Sequence, residues 1–307
     1  MKKIYITSTV TVIMMLLISA LIARVTTEKI EKGSRHIVVG FVYDGDESTP
    51  YTYNFIRAER MLAAQYGEQV EILVKSNTSY EHGEDSIREL AESGCDIIFT
   101  TSFGYGETAK KLAQEYPEIE FCQATCIDAN EEPVLSNYHN FMGEIYEGRY
   151  VAGLVAGMKL KELISQGIIS AEEAKVGYVA AYPYAEVISG YTAFFLGIRK
   201  EVPTAVMTVR YTDTWSSYML EKECAEELIR EGCVIISQHS DTIGPAAACE
   251  SARQERPVYH VGYNQSMSEV APTTSLVSCR INWTPYILTA VEAVLADEKI
   301  ESHMDAH

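Results

Sequence analysis

The chain has 307 residues, 47% hydrophobic and 22% charged, a composition that predicts a globular protein long enough for two domains and excludes disordered and fibrous chains. Asp and Glu number 43 against 25 for Lys and Arg, and the resulting net charge of −18 would repel a nucleic-acid backbone. Nucleic acid is therefore excluded as a partner.

The first 25 residues have the pattern of a targeting or anchoring segment. Lys2 and Lys3 precede an almost uncharged apolar run over residues 10–25, which has no polar face and is too apolar for a surface helix. A cleaved signal peptide and an uncleaved membrane anchor both fit, because residues 20–24 give no clear cleavage site. In either case we expect the remainder outside the cytoplasm, tethered to the plasma membrane at its outer face or secreted. A polar linker is predicted over residues 26–35.

From residue 36 onward, strands and helices alternate, which predicts an α/β protein of two doubly wound, parallel-sheet lobes. The first set has predicted strands at 37–43, 70–75, 95–101 and 119–124, with helices at 53–66, 86–93 and 107–116. A long helix over 144–166 opens the second set, with strands at 176–181, 206–211, 234–237 and 258–263 and helices at 187–200, 218–230 and 245–254. The lobes are therefore predicted at 36–142 and 143–274, and a strand and helix within about 275–300 are expected to cross back to the first lobe.

Small residues recur along the predicted helix 144–166, in the run EGRYVAGLVAG. They leave a face that another element could approach closely.

The cysteines and catalytic motifs give no sign of a metal, cofactor or enzyme. Seven cysteines with irregular spacing, mostly inside apolar segments, indicate buried thiols rather than a disulfide framework. Cys122 and Cys126 lie four apart without a second pair, so no metal site is predicted. Neither a G-x-S-x-G elbow nor an H-E-x-x-H helix occurs.

Aromatic and neutral-polar side chains follow the predicted strands. Ligands in open α/β sheets bind beyond the carboxyl ends of the strands, and this mixture suits a flat, hydrogen-bonding small molecule. For the run 237–242, an ordinary strand-to-helix loop with Asp241 or Thr242 as the helix N-cap explains the sequence equally well. The candidate ligand-binding residues are Tyr51, Tyr53, Thr101, Ser102, Phe103, Tyr182, Trp215, His239, Asp241, Asn264, Arg280 and Trp283.

Five runs of the sequence carry a family resemblance. They are IIFTTSFGYGETAKKLAQEYP, EIYEGRYVAGLVAGMK, KVGYVAAYPYAEVISGYTAFFLGIRK, ISQHSDTIGP and GYNQSMSEVAPTTSLVSCRINWTPY. In this order they resemble successive blocks of the basic membrane protein family, the substrate-binding lipoproteins of purine-type ABC importers, close to its Med-like branch. The resemblance covers about residues 38–295. It implies a type I periplasmic-binding fold, whose two lobes, joined by a hinge, close around a purine nucleoside or nucleobase.

The resemblance also implies roles for aromatic residues. Tyr51 falls where the family has an aromatic residue in its first loop, and Tyr182 falls at the aromatic after the first strand of the second lobe. Both positions imply stacking on the base. Residues 101–103 match the second loop, and Trp215 matches a later loop of the second lobe.

Some positions depart from the family pattern. Asp241 matches the acid of the family's QH-[ST]-D segment, whereas Asn264 stands where relatives usually carry Asp, so a charged acceptor is replaced by an amide that both donates and accepts. No Cys follows the apolar segment, so the family's lipid anchor has no acceptor. The chain also ends at His307, earlier than the resemblance leads us to expect.

The sequence thus predicts an extracytoplasmic solute-binding protein, not an enzyme. Its predicted partners are a purine ligand, the permease and ATPase subunits of an ABC importer, and the membrane through the N-terminal segment. The alternative is a membrane-tethered sensor or regulator that uses the same lobes for another small molecule. A nucleoside hydrolase would need a cluster of metal-binding aspartates at a strand end, and Asp44 with Asp46 are too few.

Overall fold

The computed structural model describes residues 35–301, and the chain divides into two compact units. Of the described residues, the first unit holds 35–42, Arg60–Phe141 and 285–301, and the second holds Tyr43–Glu59 and Met142–Thr284. The predicted targeting segment and all but the last residue of the predicted linker lie outside the described residues. No helix within 35–301 is both long and apolar enough to cross a membrane.

The first unit is built on a five-stranded parallel sheet. Its strands are β1 (Ile37–Val42), β2 (Val70–Lys75), β3 (Ile97–Thr100), β4 (Glu120–Ala124) and β5 (Tyr138–Phe141), in the spatial order β2-β1-β3-β4-β5. Between these strands the chain forms helices α1 (Pro50–Tyr66), α2 (Gly83–Glu92) and α3 (Gly106–Glu115). Every residue of β3 is buried, as expected for a parallel strand with both faces covered.

The second unit contains another five-stranded parallel sheet. Its strands are β6 (Lys175–Ala180), β7 (Val206–Tyr211), β8 (Ile235–His239), β9 (Tyr259–Tyr263) and β10 (Ser275–Cys279), in the order β10-β9-β8-β6-β7. The helices of this part are α4 (Ile145–Ser165), α5 (Ala185–Glu201), α6 (Tyr218–Arg230) and α7 (Gly244–Ala252), and α8 (Thr284–Leu295) follows β10. The central strand β8 is buried at all five positions, including the polar Gln238 and His239. The carboxyl end of β8 therefore brings polar groups to the side of the sheet where the parallel strands end.

Helices α4 and α5 pack with their backbones in contact because glycines line the contact. A Cβ atom at Gly153 would lie 2.0 Å from the carbonyl oxygen of Phe194, and one at Gly197 would lie 2.3 Å from the carbonyl oxygen of Tyr150. No other residue fits at these distances. The predicted close-approach face of this helix is thereby confirmed.

Two strands differ from the sequence prediction. The sequence predicts no strand at β5, where two of the four residues, His139 and Asn140, are polar and no apolar run marks a parallel strand. The strand pairs with β4, and His139 Nε2 lies 2.6 Å from Oε2 of Glu120 on that strand. At the other end, β10 stops at Cys279 and pairs with β9 in the second sheet, and the chain returns to the first unit at Pro285 rather than at about residue 275.

All seven cysteines are free, and five are buried, which confirms the prediction of buried thiols. Burial raises the pKa of Cys95 and of Cys126 to about 12. Because the thiolate is the reactive form, these two thiols are inert at neutral pH.

Candidate functional site

Loops at the carboxyl ends of β8 and β9 bring Asp241 and Asn264 together in the second unit. The amide Nδ2 of Asn264 donates to Oδ1 of Asp241 at 3.1 Å. The backbone of Asp241 is fixed by its N–H, which donates to the carbonyl oxygen of Trp215 at 2.8 Å. Asn264 has a φ of 63°, in the left-handed region where Asn is one of the few tolerated side chains.

A hydrogen-bond chain extends from this pair to helix α1 and Arg280. Nδ2 of Asn54 donates to the backbone oxygen of Asn264 at 3.0 Å, and its Oδ1 accepts from the guanidinium of Arg280 at 3.2 Å. Asn54 is buried. Arg280 is among the candidate residues predicted from the sequence, whereas Asn54 is not, because a polar residue inside a helix gives no sign of its distant partner.

Three other carboxylates lie near that of Asp241. Burial and the neighbouring carboxylates of Glu221, Asp44 and Glu186 raise the pKa of Asp241 well above its ordinary value. Glu221 is fully buried and already accepts hydrogen bonds from the Ser240 hydroxyl at 2.8 Å and from backbone N–H groups. Glu221 therefore holds the loop in place, whereas Asp241 keeps an oxygen for another donor.

Glu186, like Asn54, is a candidate site residue that the sequence prediction missed. It lies in the first turn of α5, directly after the Tyr182–Tyr184 aromatic pair, and its side chain is 15% exposed. Its Oε1 lies 3.5 Å from Nε2 of His239. An acidic residue in the first turn of a helix usually stabilises the helix dipole, so nothing in the sequence singles out Glu186.

Three aromatic rings form a cluster beside these groups. The rings of Tyr182 and Tyr184 are stacked with centroids 5.1 Å apart, and that of Trp215 lies 5.7 Å from Tyr182 at a steep angle. Tyr184 is 44% exposed. Flat, partly exposed rings of this kind suit stacking on a planar ligand.

On helix α1, Tyr51 belongs to the same site and Trp283 supports it. Burial and the carboxylates of Asp44 and Glu186 raise the pKa of Tyr51 well above its ordinary value. Trp283 is only 3% exposed and stacks on Phe55 at 4.5 Å, so it packs beneath Tyr51, whose ring centroid lies 6.5 Å away.

Tyr51 and Tyr53 both lie within α1, although the sequence places Tyr51 in a loop. Residues two apart do not share a helix face. The structure therefore does not bring Tyr53 to the face that Tyr51 presents.

Beneath the site lies a buried group of basic and aromatic side chains. The guanidinium of Arg149 is fully buried, with its central carbon 4.4 Å from the ring centre of Tyr263 and 5.7 Å from that of Tyr178. None of its three nitrogens has a hydrogen-bond partner among residues 35–301, and the same holds for both ring nitrogens of His239. Burial lowers the pKa of His239, so its imidazole is neutral at pH 7.

The three candidate residues of the first unit differ in the contacts that their side chains make. The hydroxyl of Thr101 donates to the carbonyl oxygen of Val42 at 2.9 Å, and that of Ser102 lies 2.8 Å from the hydroxyl of Tyr80. Phe103 is 54% exposed. A role for these three residues in ligand binding stays a prediction from the resemblance.

The part of the chain that the structure describes contains no group of three or more side chains suited to hold a metal ion. The side chains of the second unit described above offer stacking together with hydrogen bonds to carboxylate and amide groups.

The chain matches a known family model and is similar in sequence to proteins named for ligand binding. The Bmp family model, described as ABC transporter substrate-binding protein PnrA-like, matches residues 36–306. The chain is 31% identical over 259 residues to the purine-binding protein of Brucella abortus, covering 84% of this chain and 68% of that one. It is 33% identical over 230 residues to a Haloferax volcanii protein named for glucose binding in an ABC transporter, covering 74% of this chain and 54% of that one.

Solved structures share the fold at lower identity. An ABC transporter solute-binding protein from Aeropyrum pernix superimposes with a TM-score of 0.71 at 19% identity, covering 86% of this chain and 72% of that one. A solute-binding protein from Conexibacter woesei gives 0.65 at 18% identity, covering 85% and 81%. The fold is the type I periplasmic-binding fold with two parallel-sheet α/β lobes, as the sequence predicted.

Proposed function

Since the chain belongs to the Bmp family of ABC transporter substrate-binding proteins, we propose that it captures a purine base or nucleoside outside the cytoplasm and delivers it to the permease and ATPase of an ABC importer. Proteins of this family bind solutes and are not enzymes. The relative from Brucella abortus, named for purine binding, supports this class of ligand. The apolar segment at residues 10–25 would serve as export signal or membrane tether.

One observation carries the proposal: the cluster of Tyr182, Tyr184 and Trp215 lies in the same unit as the hydrogen-bonded pair Asp241 and Asn264. A purine offers two flat faces and an edge of donors and acceptors. Aromatic rings stabilise the faces, while the carboxylate and amide bind the edge.

Glucose is a second candidate, favoured by the relative from Haloferax volcanii. The apolar face of a sugar ring also packs on aromatic side chains, and carboxylates accept hydrogen bonds from sugar hydroxyls. A sugar has no extended flat surface, so it gains less from three rings than a purine does.

Isothermal titration of the full-length chain, kept in mild detergent, separates these candidates. The compounds are adenine, guanine, hypoxanthine, their nucleosides, uridine, ribose and glucose. Binding confined to purines supports the proposal and distinguishes base from nucleoside. Binding of glucose without any purine contradicts it.

The variant Asp241→Ala tests the edge contact. We expect its purine affinity to fall at least about tenfold, because both the ligand acceptor and the partner of Asn264 are lost. Asp85→Ala, an exposed Asp on α2 in the first unit, is the matched control and should bind like wild type. Affinity of Asp241→Ala within about twofold of wild type would remove Asp241 from the site.

A further inference from the structure

The carboxylate of Glu186 is a hydrogen-bond acceptor with almost no donor among the described residues. Its carboxylate has one ion-pair partner among the described residues, Nε2 of His239 at 3.5 Å, at the outer limit of a hydrogen bond. The side chain is 15% exposed, so few water molecules can reach it. A partly buried carboxylate without close donors is costly unless a further donor binds it.

The neighbouring carboxylates make the site rich in acceptors. Asp241 shares one oxygen with Asn264, and Asp44 accepts from the hydroxyl of Thr52 at 3.2 Å. Burial and then the carboxylates of Glu186 and Asp241 raise the pKa of Tyr263 well above its ordinary value, which places that ring against the same charges. A ligand in this site meets mainly groups that accept hydrogen bonds.

The basic side chains near Glu186 make no hydrogen bond to its carboxylate oxygens. Arg149 is fully buried against the face of Tyr263, and none of its nitrogens has a hydrogen-bond partner among residues 35–301. His239 is also fully buried, its Nε2 points at Glu186, and neither ring nitrogen makes a hydrogen bond. Neither Arg149 nor His239 therefore makes a hydrogen bond to the carboxylate oxygens of Glu186, and these oxygens stay available to a ligand.

We propose that Glu186 is a specificity-determining residue whose carboxylate accepts a hydrogen bond from an exocyclic amino group of the ligand, so that the site selects purine bases that carry an amino group over those that carry none. This inference rests on the proposed function. Adenine carries such an amino group at C6 and guanine carries one at C2. Hypoxanthine has a carbonyl oxygen at C6 and a hydrogen atom at C2, and xanthine has carbonyl oxygens at both positions. A carbonyl oxygen opposite a carboxylate leaves both acceptors without a donor, which is the kind of mismatch that hydrogen-bonding sites reject most strongly.

The test compares free bases on the full-length chain by isothermal titration. At least one of adenine and guanine should bind at least about tenfold more tightly than hypoxanthine, and xanthine should bind no better than hypoxanthine. The variant Glu186→Gln replaces one acceptor oxygen with a donor, so the preferred aminopurine should lose at least about tenfold in affinity while hypoxanthine loses nothing or gains. Glu201→Gln, the same change of charge at the far end of the same helix α5, is the matched control and should keep the wild-type ratio.

A second variant guards against a misfolded Glu186→Gln. Glu186→Ala removes the acceptor without adding a donor, and it should weaken the aminopurine while leaving hypoxanthine within about threefold. In the wild-type protein, hypoxanthine binding as tightly as both aminopurines overturns the inference, whether or not the variants fold. An aminopurine preference that survives in Glu186→Gln also overturns it. Either result leaves purine binding standing, whereas a folded chain that binds no purine overturns the proposed function and this inference with it.

Discussion

At the scale of single residues, His260 shows how a buried network fixes a protonation state. Its Nε2 lies 3.0 Å from Oε1 of Gln238, whose own amide donates to the carbonyl oxygens of Ser240 and Thr242. Oε1 must therefore accept, and Nε2 of His260 carries the single proton. Its Nδ1 is buried without a hydrogen-bond partner among the described residues, and burial, together with the charge of Arg149, lowers the pKa of His260 to about 3.

We expect the second unit to lose stability as the pH falls below 6.5 because of this residue. The unfolded chain takes up the proton near pH 6.5, whereas folded His260 takes it up only near pH 3, so protons favour the unfolded state throughout that window. Between pH 6.5 and 5 the free energy of unfolding falls by about 1.6 kcal/mol from this residue. His260→Gln, which can still donate to Gln238, should show a smaller loss over the same range. Urea unfolding followed by tryptophan fluorescence checks this, since Trp215 and Trp283 both lie in the second unit. Equal slopes in the two proteins would contradict it.

The sequence identifies candidate site residues that follow strands and misses those that lie in helices. Asp241 and Asn264 follow β8 and β9, and the structure joins them. Glu186 and Asn54 lie within α5 and α1, where polar residues have ordinary local roles, and only the folded chain shows that they meet the site. Long-range packing is the missing information in both cases.

At the scale of secondary-structure elements, the contact of α4 with α5 depends on glycine at single positions. A Cβ at Gly153 meets the backbone of Phe194, which cannot move aside as the end of a flexible side chain could. At Gly148, on the same helix, the nearest atom is the Cβ of Cys279 at 3.3 Å. Adding a side chain should therefore affect packing more at Gly153 than at Gly148, although both glycines occur in one run of small residues.

Gly153→Ala should destabilise the second unit by at least about 2 kcal/mol, because the helices must separate to admit the new methyl group. Gly148→Ala is the matched control on the same helix. It should stay within about 1 kcal/mol of wild type, because lower entropy of the unfolded chain offsets the tight contact. The measurement is urea unfolding by tryptophan fluorescence, and similar midpoints for the two variants would show that α4 and α5 can separate at little cost.

Element types are more predictable than short polar strands. The alternation of apolar runs with amphipathic segments predicted the strands β1 to β4 and β6 to β9, because a buried parallel strand needs an apolar run. Strand β5 has no such run, since two of its four residues are half-buried and polar, and its place depends on the register with β4. Pairing of this kind is a property of the sheet and leaves no periodicity in the sequence.

At the scale of the whole molecule, charge is strongly unbalanced. Carboxylate residues exceed Lys and Arg by 18, so much of the negative surface has no cation nearby. Surface ion pairs such as those of Arg88 with Glu84 and Glu115 contribute little by comparison. Mutual repulsion among the remaining carboxylates opposes the compact state.

Salt should therefore stabilise this protein. Raising sodium chloride from about 10 mM to about 500 mM shortens the screening length from about 30 Å to about 4 Å, and we expect the melting temperature to rise by a few degrees. Potassium chloride at equal ionic strength should give the same rise, because screening does not depend on the identity of the ion. A melting temperature that falls with salt would mean that the ion pairs outweigh the repulsion.

The division of the chain between the two units has a consequence for biosynthesis. The chain enters the second unit at Tyr43, returns to the first at Arg60, leaves again at Met142 and comes back at Pro285. A nascent polypeptide emerges with its N-terminus first, and domains generally fold as units as they emerge. All of the second unit is present once Thr284 has emerged, whereas the first unit still waits for nearly all of helix α8. The unit whose strands are made last is thus the first that can fold to completion.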